Sequence, residues 1–143
     1  MNDQVKGKCL HCHTTDQDVL GTIGKFKNNG LVSEEKLSDY EDQGLGGVTN
    51  KDADYGKFKV PSIRNLGFSA PYMHDGRFKT LKEVLDFYDN PNASLNVDSK
   101  IKQHLGGANL NEAEKEAIIA FLNTLNDSSF ISSSKLSNPF TLN

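Results

Sequence analysis

Cys9-Leu10-His11-Cys12-His13 is the stretch of this chain whose residue types and spacing could do chemistry. Thiols three residues apart share one face of a helical turn. Both can therefore reach the two vinyl groups of one porphyrin, and the His13 imidazole, next in the chain, then sits under the iron. C-x-x-C-H is read for that reason as an attachment site for one covalent haem c, with thioethers at Cys9 and Cys12 and an axial nitrogen from His13. The ring's other N–H needs an acceptor to fix its orientation, which the sequence does not name. Three plainer readings compete. A Cys9–Cys12 redox disulfide of thioredoxin type needs a βαβ context, and no strand and crossover helix surround this motif. A zinc module on Cys9, Cys12, His11 and His13 would have to close a tetrahedron with nearly consecutive residues, and no second pair follows at finger spacing. Two free thiols in a cytosolic protein are the third. His11 falls on the motif's outer face as a bystander.

Further along, Ala70-Pro71-Tyr72-Met73-His74-Asp75-Gly76-Arg77-Phe78 makes a turn dense in possible ligands, and Met73 and His74 are both candidates for the iron's sixth position. Thr80-Leu81-Lys82-Glu83 is a capping box that opens a helix through Tyr88. Leu81, Val84, Leu85 and Tyr88 recur at i, i+3, i+4 and i+7, so Tyr88 projects from the inward face. Periodicity alone makes it a core tyrosine whose hydroxyl needs a partner.

Other elements must position these groups. Thr14 to Leu31 reads as loop, punctuated by Gly21, Gly24, Asn28-Asn29 and Gly30, with Leu20, Ile23 and Phe26 able to line a haem edge. Ser33 followed by Glu34 and Glu35 signals a short helix. Gln43 to Gly56 is turn-rich and reads as a solvated loop, because its acids lack the closing Glu of a calcium-binding EF-hand. Lys57 to Leu66 reads as a short extended piece in which Pro61 biases Val60 away from helix, with at most a tiny hairpin near Lys57 to Val60. Asp89 to Gly107 is a long connection with a weak helical turn near Ser99 to Leu105 and an exposed His104. Asn111-x-x-Glu114 caps the clearest helix, with Ile118, Phe121, Leu122 and Leu125 as its inner stripe. The Ser-rich tail from Asp127 reads as a surface-hugging strap.

Composition agrees with a fold built around a cofactor. Of 143 residues only 36% are hydrophobic, none is Trp, and mean hydropathy is −0.56, lean for a self-sufficient core. A buried porphyrin would add apolar surface. The net charge of −3 with scattered Lys and Arg does not ask for nucleic acid. No apolar run approaches membrane-spanning length, and no charged start followed by an apolar segment marks a signal peptide. Haem c is ordinarily attached outside the cytoplasm, so a mature form or an excised piece of a periplasmic protein is expected. Only eight residues precede Cys9, too few for a long N-terminal helix, so a truncated start is expected.

The haem motif, Phe26-Lys27-Asn28-Asn29-Gly30-Leu31, Gly56-Lys57-Phe58-Lys59-Val60-Pro61-Ser62-Ile63-Arg64-Asn65, the Ala70 to Gly76 turn and Ala120-Phe121-Leu122-Asn123-Thr124-Leu125 together resemble the C-terminal domain of bacterial di-haem cytochrome c peroxidases and their MauG-like relatives. The resemblance runs from about Gly7 to Phe140. It implies a mainly α, cytochrome c-like domain over residues 1–126 with long loops and at most a small β-hairpin, followed by the strap at 127–143. In that family the N-terminal haem reacts with peroxide and the C-terminal haem, six-coordinate, passes electrons to it. This chain, with one C-x-x-C-H, is expected to be the electron-transfer half, partnered by the N-terminal peroxidatic domain and a small redox protein as donor. A free-standing monohaem electron carrier is the alternative. The family's peroxidases carry an axial Met on the helix after the Pro-Tyr-x-His-Asp-Gly turn and its MauG-like members a Tyr, which favours Tyr88 over Met73 as sixth ligand. Arg64 and His74 match positions near the haem, Arg64 suited to pairing with a propionate. Calcium at the junction of the two domains is also implied, without assignable ligands here.

Overall fold

The computed structural model describes residues 6–14, 22–31, 36–89 and 108–140. Leu20, the Ser33 to Glu35 helix start and the Ser99 to Leu105 turn with His104 lie outside the described residues. The architecture is mostly helical, with one small two-stranded sheet.

In chain order, the Cys motif forms a single 3-10 turn, Cys9–His11. Strand β1, Phe26–Lys27, pairs antiparallel with β2, Phe58–Lys59, with Phe26 opposite Lys59 and Lys27 opposite Phe58. The small β element expected near Lys57 to Val60 is present, but its partner comes from far back in the chain. Val60 N–H extends the pairing to the Lys25 carbonyl at 2.8 Å. Between the strands, the stretch expected as solvated loop holds a short helix α1, Gly46–Thr49, and a 3-10 turn at Asp52–Asp54. Gly46 is what permits α1 here, since a Cβ at that position would collide with the Tyr55 ring and backbone.

Helix α2, Leu81–Asp89, begins at the expected capping box: the Glu83 carboxylate accepts from Thr80 N–H at 2.8 Å, and Glu83 N–H donates to Thr80 Oγ1 at 3.2 Å. Helix α3, Glu112–Thr124, begins at the second one, with Asn111 and Glu114 exchanging bonds of 2.9 and 2.8 Å. The core lies between these helices and the 60s segment: Ile63, Leu85, Ile118 and Leu122 are buried, with Leu66, Leu81, Leu110, Ile119 and Leu125 packed around them. Phe121 departs from the expected stripe and is 39% exposed. At 100° per residue it lies about 90° from the centre of the arc that Lys115, Ile118 and Leu122 bury, and Ile119 flanks the core instead.

A polar cluster clamps the same two helices. Lys115, with 9% of its side chain exposed, reaches Asp86 of α2 at 2.8 Å, Asp89 at 3.1 Å and Glu112 at 3.4 Å. Lys82 adds bonds to Asp86 at 3.0 Å and Glu112 at 3.1 Å. After α3 comes a short helix α4, Ser128–Ile131, capped by Asp127. Its start is tied to the 60s turn by Asp127 N–H to Asn65 Oδ1 at 2.6 Å and by Gly67 N–H to Asn126 Oδ1 at 3.1 Å.

Candidate haem site

The Cys motif, the 60s segment, the 71–78 turn and α2 enclose one cavity of about 430 Å³. That volume lies in the range that holds a cofactor-sized ligand, about 300–1,000 Å³. Its walls are largely apolar, with Val60, Pro61, Leu66 and Leu85 among them.

Cys9 and Cys12 line this cavity, half-buried and not disulfide-bonded. The 3-10 turn puts both on one side: Cys12 and His13 N–H groups both point at the Cys9 carbonyl, at 3.2 and 2.9 Å. The Cys9 thiol donates to Gly7 O at 3.3 Å, and burial pushes it up from its ordinary pKa. His13 Nδ1 lies 3.1 Å from the Pro61 carbonyl. A carbonyl can only accept, so Nδ1 is the protonated nitrogen and the metal-binding lone pair belongs to Nε2. This is the acceptor that the sequence could not name. It lies 48 residues away and uses a backbone oxygen, which leaves no mark on residue type.

Met73 and His74 are presented by a small loop closed by Tyr72 N–H to Phe78 O at 2.7 Å. Met73 takes a left-handed φ of 72°, and Gly76 turns the loop at φ 69°. Arg77 Nε donates to Asp75 at 2.7 Å, and its Nη1 reaches across to the Leu31 carbonyl at 3.1 Å, tying this loop to the turn after β1. His74 stacks on Phe58 with ring centroids 3.7 Å apart, and both its ring nitrogens are buried without a hydrogen-bond partner. Asp42 Oδ2, at 3.6 Å from Nδ1, is beyond hydrogen-bond reach and adds an ion-pair attraction only to a protonated ring. Leaving a buried polar group unpaired costs on the order of 1–3 kcal/mol, so the His74 ring calls for a polar partner.

Tyr88 faces the same space from the last turn of α2. Burial pushes its phenol up, the Asn29 amide pulls it part of the way back, and the nearby Cys12 and Cys9 push it up again. Asn29 Nδ2 donates to Tyr88 Oη at 3.4 Å and to Met73 Sδ at 3.7 Å, so both candidate sixth ligands meet at one side chain. Ala108 joins the two sides: Gly7 N–H donates to its carbonyl at 3.1 Å and its own N–H donates to Tyr88 O at 3.2 Å.

The cavity therefore gathers Cys9, Cys12, His13, Met73, His74 and Tyr88. Arg64 is not among its lining residues; it is exposed, and its charge joins the Ser129 hydroxyl and the Phe130 amide in holding the Asp127 carboxyl below the usual range. Ile23 and Phe26 do not line the cavity either, whereas Lys27 and Asn29 do. Neighbours on a strand face opposite sides, and within β1 it is Lys27, not Phe26, that faces the cavity. Asn29 escaped the sequence reading because Asn-Asn-Gly signals a turn and says nothing of where an amide points. Among the described residues no group of three or more His, Cys, Asp or Glu side chains is placed to hold a metal ion by itself. Two thiols, a tautomer-fixed imidazole and apolar walls fit haem c.

No family model matches the chain. Cytochrome-c peroxidase IdrP1 of Pseudomonas sp. (strain SCT) is 43% identical over 84 residues, which are 59% of this chain and 21% of that protein. The methylamine utilization protein MauG of Paracoccus denitrificans is 32% identical over 152 residues, covering 83% of this chain and 39% of MauG. The crystal structure of a MauG-like protein associated with microbial copper homeostasis superposes with a TM-score of 0.73 at 32% identity, over 96% of this chain and 48% of that one. The chain belongs to the di-haem cytochrome c peroxidase and MauG-like family. It spans about half the length of the solved MauG-like chain and less of the two curated relatives. Membership of this peroxidase and MauG-like family implies haem c. Among the described residues no helix is long and apolar enough to cross a membrane.

Proposed function

We propose that this chain is an electron-transfer haem c domain of a di-haem peroxidase or MauG-like enzyme. The carrying observation is the bond from His13 Nδ1 to Pro61 O beside Cys9 and Cys12, with Tyr88 in the same cavity. Haem c, when bound, supplies a one-electron couple. Cys9 and Cys12 hold it by thioethers, and Pro61 sets the imidazole so that Nε2 is the ligand. Tyr88 would supply the sixth ligand, with Met73 as its competitor. A phenolate from Tyr88 favours the ferric state and lowers the potential, suiting a site that stores oxidising equivalents; the Met73 thioether would favour the ferrous state of a simple relay.

His74 is the polar contact for a haem propionate, since its buried nitrogens have no partner of their own. Arg64 serves a propionate only from the rim, because it is exposed. Holding the iron through two of its own side chains, the domain would pass electrons to a peroxidatic haem in an N-terminal partner domain, where hydrogen peroxide would be reduced. A small redox protein in the periplasm is the donor, and calcium sits at the domain junction. Residues 1–126 form the haem domain and 127–143 its strap.

The ferric optical spectrum, taken beside Tyr88→Phe and Met73→Leu, tests this reading. A Soret band altered only by Tyr88→Phe, with no sulfur-to-iron charge-transfer band, is expected. A charge-transfer band that disappears only in Met73→Leu would make the domain a His/Met relay. A denatured chain lacking the mass of one haem would refute haem c altogether.

A further inference from the structure

Asn29 enters the cavity wall from the turn after β1. Its Oδ1 accepts the Leu31 N–H at 3.1 Å. Only the oxygen end of a carboxamide accepts, so this bond decides which end faces the cavity: the NH2 group. Nδ2 then lies 3.4 Å from Tyr88 Oη and 3.7 Å from Met73 Sδ, and two N–H bonds are enough for two acceptors. The turn that carries Asn29 is held on both sides. Gly30 N–H donates to Asn28 Oδ1 at 2.8 Å with Gly30 at φ 77°, and Arg77 Nη1 binds the Leu31 carbonyl at 3.1 Å. The bonds of the turn itself aim the amide, which is what a positioning group requires.

We propose that Asn29 is the positioning residue of the sixth ligand and acts through Tyr88: one N–H orients the phenol oxygen and moderates its electron donation, while the other keeps the Met73 sulfur alongside. The inference rests on the haem c reading above. Hydrogen bonds to a ligand atom tune the metal it binds, and loss of a donor makes a phenolate a stronger partner for ferric iron.

Asn29→Ala and Asn29→Asp, made in the full haem-bearing chain and again in a Tyr88→Phe background, test it. Asp keeps the acceptor for Leu31 N–H and has no N–H to give, so it separates the donor from the turn. Intact mass under denaturing conditions comes first. A parent chain without the haem adduct would overturn the haem reading and this inference with it; an adduct in parent and variants leaves Asn29 alone under test. Both variants are expected to displace the ferric absorption bands and lower the midpoint potential, and the Asn29→Ala shift is expected to vanish beside Tyr88→Phe. Parent-like bands and potential in Asn29→Asp, with only a lower Tm in Asn29→Ala, would reduce Asn29 to a turn former and overturn the proposal. So would an Asn29→Ala shift that persists undiminished beside Tyr88→Phe.

Discussion

The 3.1 Å contact between His13 Nδ1 and the Pro61 carbonyl does two jobs at once. It chooses the tautomer and restrains the ring, so the nitrogen left with a lone pair for a metal is set by backbone geometry. Proline at the acceptor's position reduces the backbone freedom around it, because its ring fixes φ and restrains Val60 before it. His13→Ala is therefore expected to retain covalent haem through Cys9 and Cys12 but to lose the axial nitrogen. Its ferric spectrum should turn high-spin and return toward the parent's when millimolar imidazole is added. A parent-like spectrum without imidazole would show that another residue supplies the axial nitrogen.

At the scale of elements, α2 and α3 are joined by an apolar seam and a charged clamp beside it. Truncating the seam by Leu122→Ala removes buried methyl groups from a contact with Ile63, Leu85 and Ile118, and is expected to cost about 2–5 kcal/mol in urea unfolding. Phe121→Ser, one residue away but 39% exposed, should stay within about 0.5–1 kcal/mol of the parent. The clamp predicts pH dependence. Lys115 and Lys82 hold the Asp86 carboxyl below the usual carboxylate range; Lys82 and Lys115 do the same for Glu112. Burial pushes Asp89 up, but the Leu110 N–H and Lys115 outweigh it, and its carboxyl too ends below the usual range. A carboxylate whose folded pKa is depressed stabilises the fold above its unfolded pKa and ceases to do so as pH falls through the folded one. The Lys115 pKa is raised, so its contribution is present throughout the neutral range and is lost only in strong alkali. Lys115→Met should thus lower Tm at pH 7, with the gap to the parent narrowing below about pH 4, where unfolded carboxylates protonate. A gap that stays constant down to pH 2 would mean that the clamp's charges are not coupled to folding.

Over the whole molecule, the described core is thin: no large side chain is fully buried, and Phe130, Leu136 and Phe140 remain 55%, 59% and 78% exposed. A cavity of about 430 Å³ bordered by apolar groups sits beside that core, with Leu66 and Leu85 common to both. Burial of a porphyrin there would remove apolar area from water and bind only the folded state, which raises stability by linkage. The double variant Cys9→Ser/Cys12→Ser, unable to hold haem covalently, is expected to melt at lower temperature and less cooperatively than the haem-bearing chain. Equal melting curves would show that the fold does not depend on the cofactor. Turnover of hydrogen peroxide belongs to the same scale: on the proposed ligation by His13 and Tyr88 no iron position would stay open, and the chain alone is expected to be far slower than a complete di-haem enzyme.

Much of this was legible in the residues because it depends on short-range chemistry. The C-x-x-C-H spacing determines a thiol pair and an imidazole on one turn whatever surrounds it, and the boxes at Thr80 and Asn111 start α2 and α3 because their bonds close within three residues. The period of Leu81, Leu85 and Tyr88 was enough to turn Tyr88 inward. Contacts between distant segments were not legible. The Phe121 position depended on where the centre of the buried arc falls, the strand partner of Phe58–Lys59 on a loop of indeterminate path, and the exposure of Arg64 on how the 60s turn packs against Leu125. The Pro61 carbonyl and the Asn29 amide are the clearest cases. A backbone oxygen is common to every residue and a carboxamide can point either way, so only the tertiary structure, by bringing segments 48 and 59 residues apart into contact, decided what each of them binds.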